Sequence, residues 1–454
     1  MGLPAPLPPA LLCDATWYGT LAAARDLGSR GVPVTLASDA LVAPARWSRH
    51  VSRTVRCPPA GEPDRLLAWL LAFGEREPGH VLYPTSDDLA WIVAAHREEL
   101  APRFRLYTPP IDSLVRLLDK ARLAADARAA GLDVPETRWA RDEADVERAA
   151  REMRFPLLLK PRTQVMLAHR RGRKGTRVDR PADLLPRWRE MRAELTVHPM
   201  AAGRIRGLEL PILQEAHPAL ERIYTVDAFV DENGELYAAL ACNKVLQRPR
   251  RAGSGVCFEE APLDAAIGGA LRRLCRTTGF RGVFDAEFLI EGERRLLIDL
   301  NPRFYNHMAF EVDRGLPLPW LAYLAALGER EALRQAVSAA AAPRQGSRAY
   351  VHRLPAALML AVQAVTGAME PAARRALRGW IAGRAGTITD PACQPGDRLP
   401  GVADVALHLV AFLRHPRAFL RDLAAGGQPP VQDAPPAPAP GQLRLKADEP
   451  AEEG

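Results

Sequence analysis

The 454-residue sequence lacks G-x-G-x-x-G, H-E-x-x-H and C-x-x-C. Those absences remove the commonest dinucleotide-binding, zinc-hydrolase and dithiol readings. No serine or cysteine nucleophile motif is present either. The six cysteines, Cys13, Cys57, Cys242, Cys257, Cys275 and Cys393, are scattered in a chain too large to need a disulfide framework, so they read as reduced thiols in a cytoplasmic protein. Residues Met1 to Pro9 have no basic leader, and their prolines break any apolar helix, so no signal peptide is read. The longest apolar run, Leu354 to Met369, contains Pro355, Gln363 and Gly367 and falls short of the roughly 20 residues a membrane span requires. It reads as a buried helix, with a membrane-surface helix as the lesser alternative.

What is present is ordinary globular material. Hydrophobic residues make up 48% and charged residues 25%, with a formal charge of +7 carried far more by arginine than by lysine. At roughly 100–200 residues per domain the length predicts two to four domains. One basic cluster, His169-Arg170-Arg171-Gly172-Arg173-Lys174-Gly175, could meet phosphate, membrane or nucleic acid. It lacks the aromatic interleaving of a nucleic-acid module, and no nucleic-acid partner is expected.

From Ala10 to Leu36, apolar strand, alanine-rich helix and apolar strand follow one another, which predicts a βαβ unit in a parallel sheet. Val81 to Thr85 reads as a further strand and Asp87 to Leu100 as the helix after it. Leu114, Leu117, Leu118 and Ala121 recur at helical spacing and predict one helix from Leu114 to Gly131. Phe155 to Pro161 reads as a strand ending in Lys160, and 210–247 and 281–301 as strands with tight turns. Beyond Gly315 the pattern is helical to about Leu423. From Ala424 the Pro/Ala-rich composition predicts a disordered tail.

The segment from Gly282 to Arg303 carries the chemistry. It reads as a hairpin, and a turn centred on Glu293 sets Glu287 opposite Asp299. The period of two puts Asp285, Glu287, Asp299 and Asn301 on one face and Phe284, Phe288, Ile298 and Leu300 on the other. Carboxylates directly opposed on paired strands repel by tenths to about 1 kcal/mol, so something must compensate. Two carboxylates and an amide oxygen make a hard oxygen site suited to Mg²⁺. A solvent-facing polar hairpin is the plain alternative.

Glu287 followed by Asp299-Leu300-Asn301-Pro302-Arg303 resembles the E…[E/D]-x-N-x-R signature of the ATP-grasp superfamily, and the resemblance is nearest to the carboligase-like branch around D-aspartate ligase and the carbamoyl-phosphate synthase large subunit. Tyr83 to Asp88, Leu118-Asp119-Lys120, Leu159-Lys160-Pro161 and Leu213-Gln214-Glu215 fall in the matching order, over roughly residues 10–325. The resemblance implies a mixed α/β and α+β fold: a Rossmann-like pre-ATP-grasp domain (10–110), a two-lobed ATP-grasp domain (111–325), a helical C-terminal region (326–423) and the tail (424–454).

It also implies an ADP-forming ligase using ATP and Mg²⁺ (or Mn²⁺) to join a small-molecule carboxylate to an amine-type nucleophile. Glu287 and Asp299 are the implied metal ligands, with Asn301 assisting. Arg303 would hold the transferring phosphoryl group, Lys120 and Lys160 the nucleotide phosphates, Gln214 and Glu215 the adenine edge, and Glu221 the ribose. Amides near Gly172 and Gly175 would form the phosphate flap. Two departures stand out: Asp299 replaces the commoner glutamate, and the flap is more basic than usual. A catalytically inactive Mg·ATP-binding protein of the same fold is the other reading, and a homodimer is compatible with either.

Overall fold

The computed structural model describes residues 6–165, 175–217, 223–248, 253–340 and 348–424. Four short apolar strands, β1 (Ala10–Cys13), β2 (Val34–Ala37), β3 (Arg53–Val55) and β4 (Val81–Tyr83), form a parallel sheet in the order β3-β2-β1-β4. Every residue of β1 and β2 is buried, which is why they read as unbroken apolar runs and not as alternating ones. The Tyr18–Ser29 helix makes the crossover, as the strand-helix-strand pattern predicts.

A second, antiparallel sheet holds β5 (Thr137–Trp139), β6 (Leu157–Lys160), β7 (Thr176–Val178) and β8 (Ile212–Glu215) in the order β5-β8-β6-β7. The helices Glu143–Glu152 and Leu184–Glu194 cover it through Val146, Ala149 and Trp188. The third sheet has seven strands: β9 (Ile223–Val230), β10 (Tyr237–Arg248), β11 (Ser254–Ala261), β12 (Gly282–Glu291), β13 (Arg294–Asn301), β14 (Ala349–Val351) and β15 (Ile388–Thr389), ordered β13-β12-β9-β10-β11-β14-β15. Val226, Ala228, Phe284 and Phe288 on one face pack against Leu271 and Leu274 of the Ala265–Thr278 helix and Leu123 and Ala127 of the Lys120–Ala129 helix. The other face carries Thr225, Asp227, Asp285 and Glu287 between two apolar ends. At one end Ile223, Leu289 and Leu296 cluster; at the other, Phe229 and Val283 join the core of the N-terminal sheet.

Three sequence expectations need correction. The helix expected from Leu114 to Gly131 is two helices, Ile111–Leu118 and Lys120–Ala129, broken at Asp119. Asp119 is extended, fully buried, caps the Ala121 N–H and pairs with the buried Arg162. Periodicity could not reveal this, because the break is set by a partner 43 residues away. The C-terminal region is mostly helical, but β14 and β15, of three and two residues, extend the large sheet. Strands that short leave no periodic signal. The final helix runs Pro416–Ala424, so Ala424, expected to open the tail, is helical, and residues 425–454 lie outside the described ones. All six cysteines are free thiols.

The C-terminal region is fastened to the Tyr18–Ser29 helix and the Ser48-Arg49 segment by two buried carboxylates. Asp397 accepts from Arg25 Nε at 2.8 Å, the Ser48 hydroxyl at 2.7 Å and the Arg49 N–H at 3.0 Å. Asp404 accepts from the Tyr18 hydroxyl at 2.5 Å and pairs with His352 Nε2 at 2.9 Å. Removing one partner of a buried ion pair leaves the other charge uncompensated and costs about 3–5 kcal/mol. Asp397→Ala is accordingly expected to lower unfolding free energy by about 3 kcal/mol or more in a denaturant titration, because it strands the buried Arg25 guanidinium.

Candidate functional site

The hairpin of β12 and β13 turns at Gly292-Glu293, with Gly292 at φ +58, a conformation glycine adopts without strain. This tip lies half a residue earlier than a turn centred on Glu293, and continued without interruption it would set Glu287 opposite Ile298. A β-bulge intervenes: Phe288 pairs with Leu297, Ile298 is left over, and Glu287 pairs with Asp299. The carboxylates therefore meet as the sequence suggests, though by a different route. The bulge also moves Ile298 off the apolar face to which alternation assigned it. It packs with Ile223, Leu289 and Leu296 on the carboxylate side.

Each opposed carboxylate has its own lysine. Lys120 Nζ lies 2.5 Å from Asp299 Oδ1, and Lys244 Nζ lies 3.1 Å from Glu287 Oε1. Lys120 opens its helix directly after the Asp119 break, and its N–H donates to the Arg162 carbonyl, so the break aims the side chain at β13. Lys244 projects from β10, with a side chain 2% exposed. These ammonium groups supply the compensation that the like-charge pair demands. The side chains of Glu287 and Asp299 remain 25% and 41% exposed, so an ion can reach them from solvent.

Asn301, two residues beyond Asp299, donates through Nδ2 to Asp285 Oδ2 at 3.1 Å and accepts through Oδ1 from Arg303 Nη2 at 3.0 Å. Arg303 is held in turn by Asp87 Oδ1, 2.6 Å from its Nε. Burial works against its charge, but Asp87 and the nearby Asp285 and Asp299 outweigh it and raise its pKa. Glu287, Asp299, Asn301, Arg303 and Lys120 thus form one contiguous group. Their hard oxygen donors with flanking cations fit Mg²⁺ and phosphate oxygens.

Lys160 and Gln214 sit together on the small sheet. Lys160 Nζ donates to Gln214 Oε1 at 2.7 Å, while Gln214 Nε2 donates to Thr137 Oγ1 at 3.0 Å. A Cβ on Gly175 would lie 3.1 Å from Lys160 Cγ, so the chain entering β7 passes close beside this lysine. Glu215, at the end of β8, lies 3.8 Å from His217 Nε2, whose Nδ1 reaches Glu291 of the large sheet at 2.8 Å. Glu221 and Gly172 lie outside the described residues.

Sequence reading missed Lys244, Asp87 and a buried acidic group behind the hairpin. Lys244 interrupts an apolar strand, and that was the available signal. Asp227 pairs with Asp285 across β9 and β12, and Glu311 and His307 close the group. Burial pushes Asp227 up to about 7 and Glu311 up to about 8, and burial together with Asp227 raises Asp285 well above the carboxylate range. Asp227, Cys242, His307 and Glu311 place donor atoms within 4.8 Å of one another.

A carboxyl with a raised folded pKa contributes stability that is complete below its unfolded value and lost as pH rises through its folded value. For Glu311 that window runs from 4.5 to about 8. Thermal unfolding should show wild type losing at least about 1 kcal/mol relative to Glu311→Gln between about pH 5 and about pH 9; parallel curves would contradict the assignment.

The sequence matches no protein-family model and no curated protein. Its three-dimensional arrangement does have counterparts. Biotin carboxylase from Campylobacter jejuni, solved as a β,γ-ATP complex, superposes with a TM-score of 0.53 at 16% identity over 74% of this chain and 72% of that one. The biotin carboxylase domain of Hydrogenobacter thermophilus 2-oxoglutarate carboxylase, solved with MgADP, ADP and bicarbonate, gives 0.52 at 17% identity over 75% and 71%. L-amino acid ligase from Bacillus licheniformis gives 0.50 at 13% identity over 70% and 74%. Parallel N-terminal sheet, small antiparallel sheet and large sheet with its polar hairpin together are the ATP-grasp fold, and this chain has it.

Proposed function

We propose that this chain binds Mg·ATP between the small and large sheets and phosphorylates a small-molecule carboxylate, forming ADP and an acyl phosphate that an amine-type nucleophile then converts to an amide. In this reading residues 10–110 support the acceptor side, 111–325 bind the nucleotide, and 326–423 shape the periphery. Glu287 and Asp299 hold the metal with Asn301 beside them. Lys120 and Lys160 neutralise the phosphates from opposite sheets, and Gln214, Glu215 and Glu221 border the nucleoside, with the Gly172 to Gly175 segment over the phosphates.

The observation that carries the reading is the pair of opposed carboxylates, Glu287 and Asp299, each charge-balanced by a lysine from another element, with Arg303 two positions past Asn301. Glu287 and Asp299 would hold Mg²⁺, which would supply positive charge to the phosphates, and Lys120 can turn from Asp299 to phosphate oxygens. Phosphoryl transfer asks little of side chains beyond such positioning and electrostatics. The substrate carboxylate oxygen attacks the γ-phosphorus in line as the bond to the β-phosphate oxygen breaks. Arg303, fixed by Asp87 and Asn301, faces the charge that develops on the transferred group. The amine then attacks the acyl carbon and phosphate leaves. The two biotin carboxylase structures bound to ATP or ADP, and the separate amino acid ligase structure, share the fold and support the class of chemistry.

Calorimetric titration of ATP with and without Mg²⁺ tests this. Binding is expected only with the metal, and Asp299→Asn should weaken it at least about tenfold, roughly 1.4 kcal/mol, without lowering thermal stability. The double variant Glu287→Gln/Lys244→Met removes both partners of the pair, leaving no uncompensated buried ammonium, and should weaken binding as strongly. Metal-independent binding, or none by wild type, overturns the proposal.

A further inference from the structure

The Leu399–Arg414 helix is inside out. Its inward face holds Pro400, Ala403 and the charged Asp404, which is buried against Tyr18 and His352, with His408 one turn on. Its outward face carries Val402, Val405, Leu409, Phe412 and Leu413, all solvent-exposed. At 100° per residue these five fall on one stripe opposite Asp404. Val402 is 66% and Leu413 67% exposed, which marks them as unpartnered among the described residues and not merely as core residues at an edge. Arg398, Arg414, Arg417 and Arg421 bracket the stripe, all exposed and with no ion pair among the described residues. Exposed acids from 353 to 424 are only Glu370 and Asp422, and Asp422 lies 3.5 Å from Arg248.

We infer that this face docks on an anionic lipid bilayer, with the helix lying flat in the headgroup layer. An amphipathic surface helix inserts its apolar stripe at the acyl boundary while basic residues meet anionic headgroups. Here the polar contacts that other surface helices make to water are turned inward, where Asp404 clamps the helix to the N-terminal domain. The stripe is therefore presented rigidly and cannot turn into the core. Among the described residues no helix is long and apolar enough to cross a membrane, so the helix lies on the surface and does not span. The charge pattern selects lipid over a second copy of the chain. Two such helices paired antiparallel would set the Arg414, Arg417 and Arg421 end of each against Arg398 of the other, like charges at both ends of an apolar seam. A bilayer rich in anionic headgroups meets the same arginines with opposite charge.

The test is flotation of the full chain with phosphatidylcholine vesicles, with and without phosphatidylglycerol. Wild type should float with the phosphatidylglycerol vesicles and far less with phosphatidylcholine alone. Val402→Glu/Leu409→Glu/Leu413→Glu alters only exposed positions and should lower the bound fraction on the order of tenfold or more. Arg414→Gln/Arg417→Gln/Arg421→Gln should lose binding chiefly at low salt, where screening is weakest. Mg·ATP titration of the same variants should match wild type, so this result stands apart from that of the nucleotide site. Wild type that fails to float with any vesicle overturns the proposal. So does a lipid-free dimer, seen by light scattering, that the triple glutamate variant dissolves while flotation is absent, because the face is then an interface between copies.

Discussion

Two carboxylates set directly opposite each other on paired strands are the constraint around which this molecule is arranged. Glu287 and Asp299 repel, and a sheet tolerates that only if cations are delivered to both. The sequence is poor in lysine, and every lysine among the described residues stands at this site: Lys120 on Asp299, Lys244 on Glu287, and Lys160 on the facing sheet. Arginine carries the surface. Lysine offers a compact, rotatable point charge that can move from a carboxylate to a phosphate, whereas the planar guanidinium favours fixed pairs. Arg303 and Arg162 illustrate the latter use, each locked by an aspartate in a buried or half-buried setting.

Delivering those cations shapes the chain far from the hairpin. The helix break at Asp119 exists because Arg162 captures that carboxylate, and the break places Lys120 at the start of a helix aimed at β13. The same Arg162 stacks over Trp139 at 4.1 Å, tying the small sheet to the break. Behind the hairpin, Asp227 and Glu311 take the opposite solution to crowded acids. There burial outweighs the neighbouring Arg314 and raises both carboxyls above their ordinary range. The N-terminal helix comes against this layer so closely that a Cβ on Gly19 would lie 2.3 Å from the Tyr305 carbonyl oxygen, and only glycine allows that approach.

The C-terminal helices obey the same electrostatic logic with a different outcome. Asp397, just ahead of the Leu399–Arg414 helix, is buried against Arg25, and Asp404 within it against Tyr18 and His352, which turns the polar side of the helix inward and leaves its apolar side outward. A helix of that kind is stable in place because its inward contacts are ionic and hydrogen-bonded, and its outward face is then available to a non-aqueous surface.

By itself the sequence determined the parallel N-terminal sheet, the hairpin and the identity of the opposed acids, because strand period, turn residues and short-range spacing are local properties. It also carried the order of Lys120, Lys160, Gln214 and the Asp299 to Arg303 run, which is enough to suggest the fold. Tertiary structure alone decided how the hairpin reaches its register, since a bulge at Ile298 costs no residue that pattern can see. It decided the break at Asp119, which answers to Arg162, and the presence of Lys244 and Asp87 at the site, which come from distant strands and helices. It decided, too, that the apolar residues of 399–414 face outward: periodicity shows that a helix has two faces, but only its buried partners show which of them the protein keeps for itself.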